Sequence, residues 1–402
     1  MATSKKQPIM TVVQYGSDEE KMKALQNALS NIEKSYGKGA VMKLGQNYVA
    51  NIKSIPTGSL GLDMALGIGG VPKGRVVELY GHESSGKTTV SLQIVAQCQK
   101  QGGIAAFIDV EHALDPGYAQ ALGVNIEDLL VSQPDTGDQA MEIAEQLIRS
   151  GAVELVVIDS VAAMTTREEI DGEMGASHVG LQARMMSQAM RKLTGVISKF
   201  DCCAVFINQL REMVGQTSFN GKPVTTTPGG RALKFFSSVR IEVVRASTIK
   251  NNTDEAVGTR VRCKVVKNKV APPFKEIEFD MMFGKGTSNA GEILDFGTTL
   301  GIIKQGGAWF SYGEERLGMG REKAREYLES NPELMEKLIA QIKESKDEFL
   351  FIYRKDGKPA LKENKTAKKD KNEKSVVKTD AAENKNKSLA DIDAVVNEED
   401  FN

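Results

Sequence analysis

Gly81-His82-Glu83-Ser84-Ser85-Gly86-Lys87-Thr88 sets two glycines either side of four residues and ends on a lysine and a hydroxyl, with Thr89 next. Glycines at that spacing let backbone N–H groups curl around a phosphate. Lys87 can neutralise the β and γ oxygens of a triphosphate, and Thr88 offers a hydroxyl to Mg²⁺. The flanks support the chemistry. Val76 to Tyr80 is a short apolar run of strand character, and a helical pattern starts near Lys87, so a helix N-terminus adds its partial positive charge at the same place. A nucleoside triphosphate with Mg²⁺ is the ligand these residues predict; a Gly-rich turn holding nothing is the plainer alternative.

Hydrolysis needs acids as well. Leu155-Val156-Val157-Ile158-Asp159 is an apolar strand closing on a carboxylate, the form that holds a metal shell at the carboxyl edge of an open α/β sheet. Ile104 to Ile108 likewise runs into Asp109, Val110 and Glu111, and Glu111 stands where a carboxylate can polarise an attacking water. A solvated acid at a strand exit explains one such carboxylate well and two less well. Ala204 to Ile207 leads into Asn208-Gln209, neutral amides at a third strand end that can register a γ-phosphate without titrating. His112, beside Glu111, reads as a hydrogen-bonded surface group rather than a base.

These strand ends must reach one edge of a sheet. From about Ile55, apolar strands alternate with helical segments: helices from Lys87 to about Lys100, near Tyr118, from about Gln139 to Arg149 and from Gly180 to about Phe200, and strands at Ile104 to Ile108, Leu129 to Ser132, Leu155 to Ile158 and Cys203 to Ile207. Repeated βα units predict an α/β fold with a mainly parallel sheet wrapped by helices, and Val239 to Val244 with Val261 to Val266 predict an antiparallel addition. Glu168 to Gly180 and Arg211 to Arg231 read as mobile loops. The second is too rich in Gly, Pro and Thr for a buried element and suits an order–disorder switch tied to Gln209. After the first loop, Arg184 and Arg191 fall seven residues apart on one helix face, with Ser187 and Gln188 between. That face suits a groove tracking a nucleic-acid backbone. A merely solvated basic face is equally open, and the acids of the first loop count against the groove.

The 402 residues suit two or three domains, and 41% apolar content is ample for a large core. A formal net charge of −1 excludes overall basicity as the route to nucleic acid and leaves local patches. No run approaches the ~20 apolar residues of a membrane helix, and Met1-Ala2-Thr3-Ser4-Lys5-Lys6 leads into polar sequence, so no membrane partner and a cytoplasmic location are expected. Cys98, Cys202, Cys203 and Cys263 lack metal-ligand spacing and read as reduced core residues. Ser17-Asp18-Glu19-Glu20 opens a helix with Met22, Leu25, Leu29, Ile32 and Tyr36 on one stripe, which must cover the core or a neighbouring subunit. Past Phe283, closely spaced glycines and a last helix from Asn331-Pro332 to Ile342 predict a small second domain. Beyond about Lys355 the sequence predicts a disordered tail, Lys-rich first and acidic at its close. The expected organisation is an N-terminal extension and docking helix over 1–54, a core over 55–283, a small α/β domain over 284–345 and a mostly disordered charged tail over 346–402.

Together, Gly81 to Thr89, Ala106 to Pro116, Ser132-Gln133-Pro134-Asp135-Thr136-Gly137, Arg184 to Leu193 and Val265-Val266-Lys267-Asn268-Lys269 resemble the bacterial RecA recombinase family, in order and spacing, from about Lys21 to about Ile342. The resemblance implies a P-loop NTPase core of the RecA type. It implies a DNA-dependent ATPase, using ATP and Mg²⁺, whose helical filament on single-stranded DNA pairs it with a homologous duplex and exchanges strands. The same filament stimulates self-cleavage of LexA-type repressors in the SOS response to DNA damage. In that likeness Gly81 to Thr89 and Asp159 serve the phosphates and metal, Glu111 is the catalytic carboxylate, Gln209 the γ-phosphate sensor, and Asp115 and Tyr118 the adenine contacts. Lys267 and Lys269 reach the γ-phosphate from the next subunit. Val179, Arg184, Ser187, Arg191, Arg211, Val214, Gly229 and Gly230 match DNA-binding positions. Lys21 and Leu25 belong to the docking arm, Phe235 is a neighbour-facing anchor, and Arg316, Arg321 and Arg325 lie in the lobe that gathers duplex DNA.

Three features depart from the family pattern. The second loop, through Gln216-Thr217-Ser218-Phe219-Asn220-Gly221-Lys222, is longer than usual, an N-terminal extension precedes the usual start, and a Lys-rich stretch precedes the acidic end of the tail. Two other readings share the core motifs: a ring-shaped helicase motor, and a nucleotide-switched binding protein with negligible turnover. The docking arm and the paired lysines favour filaments over rings.

Overall fold

Four strands whose apolar runs mark them for burial on both faces lie side by side in the computed structural model, which describes residues 16–37, 40–41, 52–173, 180–217, 223–251 and 253–345. In chain order the strands are β1 (Ser54–Ile55), β2 (Val71–Pro72), β3 (Val76–Gly81), β4 (Ile104–Asp109), β5 (Leu130–Ser132), β6 (Val153–Asp159), β7 (Cys203–Gln209), β8 (Arg211–Thr217), β9 (Pro223–Thr226), β10 (Val239–Lys250), β11 (Ala256–Asn268), β12 (Lys275–Met282), β13 (Gly286–Thr287), β14 (Lys304–Gly306), β15 (Trp309–Tyr312) and β16 (Glu315–Met319). The helices are α1 (Asp18–Tyr36), α2 (Leu60–Leu66), α3 (Lys87–Lys100), α4 (Pro116–Ala121), α5 (Gly137–Arg149), α6 (Arg167–Ile170), α7 (Leu181–Lys199), α8 (Ala232–Phe236), α9 (Asn289–Thr299), α10 (Arg321–Glu329) and α11 (Pro332–Glu344).

The main sheet runs β13-β12-β11-β10-β3-β7-β6-β4-β5. From β10 to β5 every neighbouring pair is parallel, and β10 to β13 pair antiparallel. Strand periodicity assigns the two faces. Val77, Leu79, Ala105, Phe107, Leu155, Val157, Cys203, Val205 and Ile207 join one apolar cluster with α2, α3 and α9, while Val76, Ala106, Ile108, Val156, Ile158, Ala204 and Phe206 join the other with α5 and α7. All four cysteines are buried as free thiols within this core. The predicted antiparallel addition is present, and its two strands extend beyond the apolar runs that announced them.

Parallel register then fixes where the chemistry sits. Gly81 pairs with Gln209, and Asp109 with Asp159, so the exits of β3, β4, β6 and β7 share one carboxyl edge. The segment Arg211 to Arg231, expected as a long mobile loop, carries regular structure: β8 and β9 form an antiparallel two-stranded ladder, and the helix Ala232–Phe236 follows it. Val224, Thr225 and Thr226 are β-branched and suit an exposed ladder, which needs no buried face to satisfy its backbone.

The elements after β13 share the apolar cluster of the main sheet: Ile293, Leu294 and Phe296 of α9, Leu328 of α10 and Leu338 and Ile342 of α11 all belong to it. A buried carboxylate fastens them to the start of the core. Glu292 Oε1 accepts from Ser59 Oγ at 2.7 Å and Gly61 N at 3.1 Å, and Oε2 accepts from Leu60 N at 2.9 Å, so it caps the first turn of α2 from a different helix. Removing it orphans three buried donors. The Glu292→Ala protein is expected to lose about 3–5 kcal/mol of stability, read as a fall in the urea midpoint; a midpoint equal to that of the parent would contradict the cap.

Burial pushes Glu292 up to about 8 and neighbouring Asp63 up to about 7. Because the folded state keeps these protons longer than the unfolded chain, this contribution to stability is full below about pH 4 and is lost as pH rises toward 8. The unfolding free energy of Glu292→Gln should accordingly fall less steeply over that range than that of the parent. Among the described residues no helix is long and apolar enough to cross a membrane.

Candidate functional site: a nucleotide cleft and a basic helix face

The loop between β3 and α3 is shaped by backbone that only glycine supplies without strain. Gly86, the N-cap of α3, lies at φ +97°, and a Cβ on Gly81 would fall 2.1 Å from the Val243 carbonyl oxygen. Lys87 opens α3, and its Nζ donates to the His82 carbonyl at 2.7 Å across the loop. Burial lowers its pKa, opposed by the charges of Asp159, Glu111 and Glu83, so the ammonium faces three carboxylates in a partly desolvated place.

A cleft with a volume of about 240 Å³ opens over this loop, walled by Ser84 to Thr89 on one side and by Tyr118, Thr259, Val261, Met281, Met282 and Phe283 on the other. Tyr118 Oη and Thr89 Oγ1 share a hydrogen bond at 2.8 Å, which sets the phenol ring at the mouth of the cleft. Asp115 does not line it. Its Oδ1 accepts from Tyr118 N at 2.7 Å as the N-cap of α4, so it orients Tyr118. The β11 and β12 side of the wall was invisible in the sequence, because Val261 read simply as an apolar strand residue and no strand was expected over Met281 and Met282.

The strand-end acids divide their work. Asp109 is buried and accepts from Ala113 N, Leu114 N and Gln133 Nε2 at 3.0–3.2 Å, which folds the segment after β4 back over the sheet edge. Glu111 is exposed just past the end of β4 and does not itself line the cleft. Its Oε1 accepts from Gln209 Nε2 at 3.0 Å and from Ser160 Oγ at 2.5 Å. Thr88 Oγ1 donates to Asp159 Oδ2 at 2.7 Å, and burial raises Asp159 to about 6. A hydroxyl and a carboxylate oxygen are a hard donor pair that fits Mg²⁺, which takes few protein ligands and completes its shell with phosphate and water. Among the described residues no group of three or more His, Cys, Asp or Glu forms a metal cluster.

Lys267 and Lys269 are absent from the cleft lining. Lys267 Nζ instead donates to the carbonyls of Lys234 and Phe235, at 2.7 and 3.0 Å, at the end of α8. Phe235 beside it is 68% exposed. On α7, Met185, Met186, Ala189, Met190 and Leu193 are buried, while Arg184, Gln188 and Arg191 stay exposed on the opposite face and Ser187 is half-buried, its hydroxyl donating to Ala183 O. Gly229 and Gly230, both at positive φ, sit against Val161 and Ala183. Gly229 N donates to Gln182 Oε1 at 3.1 Å, and Asn208 Nδ2 donates to Pro228 O at 3.2 Å, so the residue next to Gln209 holds the root of the second loop. Arg211 starts β8 exposed, and Val214 follows within the same strand. Val179 lies outside the described residues, as do residues 1–15 and 346–402.

None of α1 is buried: Met22, Leu25 and Tyr36 are exposed along its stripe, and Lys21 pairs with Asp18. Of the three late arginines, Arg321 is tied to Asp280 and Asp295 and Arg325 to Glu329, while Arg316 lies over the Trp309 ring at 5.1 Å from its centroid.

Family models match almost the whole described chain: the RecA N-terminal domain over residues 23–288 and the RecA C-terminal domain over residues 291–347. The chain belongs to the RecA family. Protein RecA of Clostridium tetani is 60% identical over 330 residues, 82% of this chain and 93% of the relative. Protein RecA of Helicobacter hepaticus is 60% identical over 336 residues, 83% and 96% of the two chains, and that of Bifidobacterium breve 56% over 343 residues, 85% and 86%. As a RecA-family member this is a DNA-dependent ATPase, using ATP with Mg²⁺. It forms helical filaments on single-stranded DNA, engages double-stranded DNA in homologous pairing and strand exchange, and activates self-cleavage of LexA-type repressors.

Proposed function

We propose that the cleft over Gly81 to Thr89 is where ATP is bound and turned over, and that the pairing of Glu111 with Gln209 at the carboxyl edge from which this loop leaves β3 is the observation that carries this reading. The loop N–H groups and Lys87 hold the phosphates, Thr88 and Asp159 hold Mg²⁺, and Tyr118 with Met282 and Phe283 grips the base. Held by those two side chains, Mg²⁺ would offset part of the negative charge of the phosphates. Glu111 accepts a proton from, and orients, the attacking water. Gln209 leaves Glu111 for the γ-phosphate, and because Asn208 beside it grips Pro228, that movement is passed to the root of the second loop.

Lys267 and Lys269 act in trans. They cross a head-to-tail contact to the γ-phosphate of the next protomer, with exposed Phe235 and the stripe of α1, including Lys21 and Leu25, as the docking surfaces. DNA lies along the α7 face with Arg184, Ser187 and Arg191, together with Val179, Arg211, Val214, Gly229 and Gly230, its phosphates supplying affinity without sequence choice. Residues 55–283 form the ATPase and DNA-binding core, 284–345 a small accessory domain, 1–54 the docking arm and 346–402 a charged tail. Acting on bacterial DNA, the protein works in the cytoplasm.

Mixed filaments test the trans arrangement. Glu111→Gln and Lys267→Ala proteins should each be nearly inactive. Mixed in equal amounts on DNA, they should regain up to about a quarter of parental turnover, since that share of contacts joins an intact Glu111 to an intact Lys267. A mixture no more active than its components would contradict catalysis across the contact.

A further inference from the structure

Glu111 is held by two donors on the same carboxylate oxygen. Gln209 Nε2 reaches Oε1 at 3.0 Å from the end of β7, and Ser160 Oγ reaches it at 2.5 Å from the residue that follows β6. Among the described residues no hydrogen bond engages Oε2, which is therefore the oxygen open to a water. The backbone of the same turn is also anchored to β6: Val110 N donates to the Asp159 carbonyl at 2.7 Å and Glu111 N at 3.3 Å. Ser160 itself has no surface exposure, and its carbonyl accepts from Ala163 N at 3.1 Å, so its hydroxyl is carried on rigid backbone.

The two donors differ in what else they can do. Gln209 is half-buried at the exit of β7, paired in register with Gly81 at the start of the phosphate loop, whereas the Ser160 hydroxyl is enclosed and has Glu111 as its one hydrogen-bonding acceptor among the described residues. If Gln209 leaves, a carboxylate on a side chain with three rotatable bonds would otherwise swing, and a base misplaced by about 1 Å loses on the order of a hundredfold in rate. We propose that Ser160 is the positioning residue of the hydrolytic site, a fixed donor that keeps Glu111 aimed while Gln209 exchanges its partner. The inference rests on the reading of Glu111 as the group that orients the water.

The experiment is steady-state ATPase on single-stranded DNA for the full chain and for Ser160→Ala, Ser160→Cys, Glu111→Gln and the Glu111→Gln/Ser160→Ala double variant, beside binding of a non-hydrolysable ATP analogue and of DNA. Cysteine keeps the buried volume and is a weak donor, so it separates the lost hydrogen bond from a lost contact. Both Ser160 variants should lose roughly ten- to a hundredfold in kcat, with KM for ATP and both binding affinities within about twofold of the parent. In the Glu111→Gln background Ser160→Ala should change turnover by less than about twofold, because a residue acting only through Glu111 has nothing left to position. Parental kcat in both Ser160 variants, a loss confined to KM, or the same fold loss with and without Glu111 would each overturn the proposal. Glu111→Gln turning over like the parent would remove the reading beneath it; a slow Glu111→Gln beside parental Ser160 variants would remove this inference alone.

Discussion

Glu111→Gln protein is expected to bind ATP and single-stranded DNA as the parent does, and to hydrolyse ATP roughly a hundred- to ten-thousandfold more slowly. The amide is isosteric and can still accept from Ser160 and Gln209, so the fold of the site should persist while the group that takes the proton from water is gone. Because the chemical step alone is removed, the loss should appear in kcat with KM unchanged. DNA-stimulated ATPase with a parallel filter-binding assay checks this. Turnover equal to the parent would take Glu111 out of the reaction.

Lys87→Ala should fail earlier, at binding. Lys87 faces Asp159, Glu111 and Glu83 from within the loop, and a triphosphate adds further negative charge to that acidic surround. Without the ammonium, the nucleotide would meet three carboxylates with no cationic side chain of its own phosphate loop in compensation, so affinity should fall by about a hundredfold or more. Titration with a fluorescent ATP analogue reads the change directly. An unaltered Kd would show that the loop N–H groups alone hold the phosphates. The contrast between the two variants, one silent in binding and one silent in turnover, separates the cradle from the chemistry.

The sequence was most informative where local rules decide. The loop from Gly81 to Thr88, the carboxylates ending β4 and β6 and the amide ending β7 could be placed because strand exits in a parallel sheet share one edge, and the pairings of Gly81 with Gln209 and Asp109 with Asp159 follow that rule. It was least informative where a role depends on a residue from elsewhere in the chain. The acid at 292 looked like any charge in the first turn of a helix, yet it caps a helix more than 200 residues earlier, and no spacing records that. Ser160 follows an informative carboxylate but is itself an ordinary serine until the neighbouring strand brings Glu111 to it. Likewise nothing in the sequence around Arg321 and Arg325 announces their partners on β12, α9 and α10, whereas Arg316 lies exposed over the Trp309 ring. The segment after β7 misled because its Gly and Pro content outweighed the β-branched residues that build the β8–β9 ladder.

A three-dimensional reconstruction by electron cryomicroscopy of the full chain on single-stranded DNA with Mg²⁺ and a non-hydrolysable ATP analogue examines the nucleotide, its metal and the protomer contact at once. The expected image is an open helix in which Lys267 has left the carbonyls of α8 and contacts the γ-phosphate held by the adjacent protomer, opposite Glu111. Closed rings, or a filament in which each nucleotide lies away from the contact with Lys267 still on its own helix, would contradict it.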